Sequence, residues 1–128
     1  MKWTLAMASE HMAAAIPEIA GFIGDPEVDG LHYLHFGELA RVCQAAIDDS
    51  DRAFVKRCCA FVDEAARLGD DEVQNAVGVA FVEHLNLFDG KVPRQWAFEF
   101  LSPQLREAAF SLGLERIDHR GWRFPRQR

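Results

Sequence analysis

The chain has 128 residues, 49% of them hydrophobic and 27% charged, a balance that excludes a largely disordered protein and suits one domain with a single core. Its formal charge of -6 is unevenly spread: residues 1–90 hold 16 Asp/Glu and 6 Lys/Arg, a balance of -10, whereas residues 91–128 hold 4 and 8, a balance of +4. A long acidic part repels phosphate backbones and attracts basic partners, so direct nucleic-acid binding by that part is disfavoured.

Trp3 to about Ile16 reads as a first helix, with Leu5, Ala8, Met12, Ala15, Ile16 and Ile19 near one stripe and Pro17 ending or kinking it. Glu10 and His11 interrupt the apolar run of this amino-terminal stretch, so no signal peptide is expected. Gly21 to Gly30 carries the turn chemistry of Asp25-Pro26 and Asp29-Gly30 and predicts a loop, with Leu31 to Phe36 docking onto the core.

Phe36, Leu39, Ala40, Cys43, Ala46 and Ile47 recur at helical spacing and predict a helix from about Phe36 to Ile47, closed by Asp48-Asp49-Ser50. Ser50 or Asp51 can cap the next helix, whose buried face takes Phe54, Cys58, Phe61, Val62, Ala65 and Leu68, and Gly69 is expected to end it as a left-handed terminator. Asp70 or Asp71 can cap a further helix with Val73, Val77, Ala80, Phe81, His84, Leu85 and Phe88 inside. Asp89-Gly90 and Pro93 mark the next break, Arg94 to Leu101 is apolar nearly all round, and Pro103 can start a last helix that Gly113 stops.

The expected fold is therefore all-α, a single domain of five to six helices packed as antiparallel hairpins, with residues 114–128 as a basic, aromatic tail that is irregular or a short β-hairpin. Short joints put alternate breaks at the same end, so the breaks near 25–30 and 69–72 should share one end and 48–51 should lie at the other with Asp89.

Chemistry-bearing groups are sparse. Cys43, Cys58 and Cys59 form an odd set whose apolar company predicts buried free thiols in a reducing compartment. His32 and His35 stand three apart and Glu83-His84 adds two more donors, but no third partner of known position completes a metal site, and His84 is expected as a core imidazole. Glu83 or Glu38 beside His84 could pair as acid and base, yet no nucleophile elbow, phosphate loop or zinc-protease spacing accompanies them. No catalytic residue and no cofactor is expected; the tail cations Arg116, Arg120, Arg123 and Arg126 around Trp122 and Phe124 are read as packing onto the acidic body. No stretch approaches the roughly 20 apolar residues of a membrane span, and a cytoplasmic protein is expected.

The runs Phe36-Gly37-Glu38-Leu39-Ala40, Phe54 through Ala65 with its Phe61, Gly69 through Ala76, and Phe81-Val82-Glu83-His84-Leu85 resemble a family of small helical bacterial proteins, over roughly residues 16–110. The resemblance implies an immunity protein associated with polymorphic or contact-dependent toxin systems and brings no catalytic residues. Such toxins are often nucleases with basic clefts, which an acidic inhibitor would reach quickly. The carboxylates expected to bind the toxin are Asp25, Glu27, Asp29, Asp70, Asp71 and Glu72, around an exposed aromatic or aliphatic anchor. A helical adaptor or homo-oligomeric scaffold is the alternative, followed by a small metal- or thiol-dependent enzyme.

Overall fold

The computed structural model describes residues 2–85, 95–103, 105 and 106. Within them the all-α expectation holds, and no strand occurs. The last-helix end at Gly113 and the tail hairpin fall outside the described residues, as do Phe88 and Asp89.

α1 (Leu5–Ala15) begins after Thr4, whose hydroxyl accepts from the Met7 N–H, and stops before Pro17, whose ring denies the helix a hydrogen bond. The segment read as a loop contains a 3-10 turn at Pro17–Ile19, a single turn α2 (Ala20–Ile23) and a second 3-10 turn at Pro26–Val28, started by Asp25 accepting from Glu27 N–H. α3 (His32–Asp48) starts four residues earlier than expected: Leu31 to His35 is not a docked loop but the helix entry, with Leu31, Tyr33 and Leu34 exposed and His35 and Phe36 buried.

The stripe Phe36, Leu39, Ala40, Cys43, Ala46 and Ile47 is buried throughout, as the 3.6-residue period requires. Ser50, at φ 58, makes the left-handed exit of α3, and Asp51 caps α4 (Arg52–Leu68) by accepting from Phe54 N–H. α4 runs antiparallel to α3: Phe36 lies against Phe61 with ring centroids 6.4 Å apart, and Cys43 meets Cys58 and Cys59. All three cysteines are buried and free. The thiols of Cys58 and Cys59 beside Cys43, reinforced by burial, push its ionisation far up.

Gly69 ends α4, but not in the left-handed region expected of it; its backbone is extended, at φ -82 and ψ 158. Glycine is required there for space. A Cβ would lie 2.5 Å from Val73 Cβ and 2.6 Å from the Ala65 carbonyl oxygen. The amino-terminal backbone uses that closeness: Trp3 N–H donates to the Leu68 carbonyl at 2.8 Å and Asp70 N–H donates to the Trp3 carbonyl at 2.9 Å. Trp3 is buried, stacked on His11 at 4.1 Å and facing Phe61.

Asp70 caps α5 (Asp71–Ala76) through Val73 N–H at 2.9 Å. The expected single helix then widens into a π-turn at Val77–Phe81 and tightens into a 3-10 turn at Val82–His84. A π-turn inserts the equivalent of one residue and rotates the downstream residues by about 100°. Val82 therefore turns inward and His84, expected in the core, is exposed.

Beyond the break, a 3-10 stretch at Gln95–Phe100 packs on α4 with Ala97, Leu101 and Leu105 buried, and Arg52 lies over the Trp96 ring at 4.3 Å. No helix among the described residues is long and apolar enough to cross a membrane.

Candidate partner-binding site

Among the described residues, the large hydrophobic side chains left exposed are Leu31, Tyr33, Leu34 and Val79, and three of these four border one open groove of about 780 Å³. Tyr33, Leu34, Gly37 and Arg41 form its α3 wall, and Val79, Ala80 and His84 form the opposite one. The groove exists for local reasons. Val79 lies off the buried face of Val73, Val77 and Ala80, the π-turn turns His84 outward, and Gly37 places no side chain on its α3 wall. A Cβ on Gly37 would meet no described atom within 4 Å, so the described fold does not require glycine at this helix-interior position.

Polar groups edge the apolar stretch. Arg41 grips Glu38 through its Nε and Nη2 donors, at 2.9 and 2.6 Å, which accounts for Glu38 as half of an ion pair and not as a free base. Gln44 donates to Asp48 at 3.2 Å toward the other end of the groove. Glu83 and His84 are both exposed.

The six carboxylates expected to contact a partner separate into two kinds. Asp25 and Asp70 are committed to backbone N–H groups as turn and helix starters. Glu27, Asp29, Asp71 and Glu72 are exposed. The two acidic breaks are linked through the anchor region: Asn75 donates to the Tyr33 hydroxyl at 2.6 Å, laying the start of α3, which comes after residues 25–29, beside α5, which comes after Asp70. The 17 residues of α3 extend about 25 Å, so the 48–51 break lies at a far end from its start.

A second constellation joins residues distant in the sequence. Ser9, buried on α1, lies 2.8 Å from His35 Nδ1 and 3.1 Å from His32 Nδ1, and His35 Nε2 donates to the Val28 carbonyl at 3.0 Å. Burial pushes the His35 imidazole below the usual histidine range, against the opposing pull of the Val28 carbonyl and Asp29. The three-residue spacing of the histidines is legible in the sequence, but Ser9 comes from a separate stretch with no spacing signal. The pair Ser9–His35 superficially matches a nucleophile and its base, yet the hydroxyl is buried between two imidazoles and the far ring nitrogen meets a backbone carbonyl. Among the described residues, no group of three or more His, Cys, Asp or Glu side chains is placed to hold a metal ion.

A family model described as a domain of unknown function, DUF7674, matches residues 9–115. No curated protein and no solved structure matches the chain.

Proposed function

The chain belongs to the DUF7674 family, a domain of unknown function, and we propose that it is a non-catalytic binding protein of the immunity type, which neutralises a cognate toxin domain in the bacterial cytoplasm by stoichiometric association. The target in this reading is a basic nuclease domain. The observation that carries it is the apolar groove between α3 and the 77–84 turns, with Tyr33, Leu34 and Val79 exposed along it. Gly37 adds support, since a helix-interior glycine costs about 1 kcal/mol relative to alanine and the described residues give it no packing reason.

Charge supports the same reading. Through residue 90 the chain carries a balance of -10, and the exposed Glu27, Asp29, Asp71 and Glu72 belong to the two breaks that the Tyr33–Asn75 hydrogen bond links. Carboxylates around an apolar anchor would steer a phosphate-binding cleft toward the groove and oppose it there, while the aromatic anchor resists dissociation.

The test is co-expression with the carboxy-terminal domain encoded by the neighbouring reading frame, reading cell survival and co-purification. Survival and a 1:1 complex are expected, and both are lost with Leu34→Asp plus Val79→Asp. A chain that neither protects nor co-purifies would refute the immunity reading. Sedimentation of the isolated chain as an obligate oligomer, abolished by the same two substitutions, would instead assign the groove to self-association and the chain to the scaffold class.

A further inference from the structure

The groove between α3 and the 77–84 turns has a length, a charge pattern and a backbone chemistry that together narrow what can occupy it. Its α3 wall runs at helical spacing from Tyr33 to Asp48, almost the whole helix, a rise of about 22 Å. Tyr33 and Leu34 stand exposed at the start of this wall. Gly37, Ala40 and Ala45 keep the rest of it low, so the backbone of a partner can come close there.

Both ends of the trough are acidic. The Tyr33 end follows Glu27 and Asp29 in the chain and is tied through Asn75 to α5, which carries Asp71 and Glu72; the other end is Asp48 followed by Asp49, and all six carboxylates are exposed. Arg41, the cation of the α3 wall between these ends, is engaged by Glu38. A second copy of the chain is therefore a poor occupant. Two-fold packing along the groove sets acidic ends against acidic ends whichever way the copy runs, and like charges so placed oppose association. Nucleic acid and anionic lipid meet the same repulsion.

The walls are helical, and among the described residues no strand offers an edge. An extended peptide in the groove would lose water from its N–H and C=O groups without gaining backbone partners, whereas a helix brings its own hydrogen bonds. We infer that the groove takes an amphipathic α-helix of the partner, about four turns long, with cationic residues in its first and last turns and a bulky apolar side chain that enters over Gly37. This rests on the reading of the groove as the partner surface and names the element that fills it. The apolar stripe of that helix packs on Tyr33, Leu34 and Val79, and its two charged turns meet the acidic ends.

Three synthetic peptides of about 16 residues, titrated into the full isotope-labelled chain, test it. The first is an alanine-glutamine helix with leucines at i, i+3, i+4 and i+7 and lysines in both terminal turns; the second replaces the lysines by glutamates; the third keeps them and carries one central proline. The lysine-ended helix should shift the amides of Leu34, Gly37, Ala45 and Val79 and gain helical circular dichroism on binding. In low salt it should bind at least about tenfold tighter than either other peptide. Gly37→Trp should weaken it at least about tenfold; should that variant fail to fold, Leu34→Ser plus Val79→Ser, at two exposed positions and without added charge, takes its place. No shift at these amides, equal affinity of the proline peptide, equal or tighter binding of the glutamate-ended peptide, or a dimer that Gly37→Trp dissociates would each overturn the proposal. Loss of protection against the toxin domain with these titrations intact would refute the toxin reading alone, and protection with failed titrations would refute the helix alone.

Discussion

Gly69→Ala tests the corner where the amino-terminal backbone, α4 and α5 meet. The added Cβ would lie 2.5 Å from Val73 Cβ, closer still to Val73 Cγ1, and 2.6 Å from the Ala65 carbonyl oxygen. None of these neighbours is a free side-chain end. Val73 is fully buried and its N–H is held by Asp70, while the Ala65 carbonyl already accepts the Gly69 N–H at 2.8 Å. Overpacking of this kind costs about 1–3 kcal/mol, and two obstructions fixed to backbone place the substitution at the upper end, about 3 kcal/mol. For a chain of this size that corresponds to a fall of about 10 °C in Tm. Urea unfolding followed by circular dichroism reads the loss, and amide exchange at Trp3 and Asp70 should accelerate because their hydrogen bonds flank the obstructed residue. Val73→Ala alone should cost about 2 kcal/mol through lost buried methyls, but less in the Gly69→Ala background, where the same methyls are in the way. A Gly69→Ala protein within about 0.5 kcal/mol of wild type would refute the steric account.

Asp70→Ala should lose a helix cap and about 1 kcal/mol in urea unfolding, while Asp71→Ala, exposed in the first turn, should lose less than about 0.5 kcal/mol; equal losses would contradict the division of these carboxylates. Gly37→Ala should raise stability by about 0.5–1 kcal/mol, since α3 gains helix propensity and the new Cβ meets nothing described, and Gly37→Trp should leave the fold intact while blocking the groove; a destabilised Gly37→Ala would show that the position is packed. Stability should rise with pH between 5 and 7. The His35 pKa is lower folded than the unfolded value of 6.5, so the unfolded chain binds more protons as pH falls through 6.5; the contribution is complete above that value and declines down to the folded pKa. Unfolding free energies of wild type minus His35→Gln should carry that slope, and a flat difference would count against it.

The parts of the fold legible in the sequence are those that depend on one helix at a time. Phe36 to Ile47 and Cys58 to Ala65 repeat at helical spacing, and Asp51 and Asp70 stand where an acceptor must satisfy free N–H groups. The illegible parts depend on two segments at once. Tyr33 and Leu34 read as docking residues because an aromatic run after a turn usually packs, and only the position of Val79 across from them shows that they line a groove. His84 keeps its place in the helical pattern of the sequence but loses it to the π-turn, a change of phase that the residue order does not announce. Gly69 is a terminator for a reason other than the expected one, since Val73 and the Ala65 carbonyl, not a left-handed backbone, demand its size. The carboxylates stand out by clustering alone, and clustering does not separate a cap from a contact.

That separation governs how a binding surface of this kind would work. The exposed carboxylates Glu27, Asp29, Asp71 and Glu72 lie on short segments that the fold holds at fixed points: Val28 is bonded to His35, and the residue before Asp71 is both cap of α5 and donor to Trp3. Tyr33 and Asn75 tie the two segments together. Charges displayed from such positions do not have to be ordered when a partner arrives, so less of the association energy goes into immobilising loops. In the proposed reading the two kinds of residue would act at different stages. Long-range attraction from the carboxylates would act on the association rate and weaken with salt, whereas Tyr33, Leu34 and Val79 would act after contact, on dissociation. Disturbing Val28 or Asp70 would loosen the display without removing any of the four exposed charges, and so should slow association even though the net charge of the acidic breaks is kept or nearly kept.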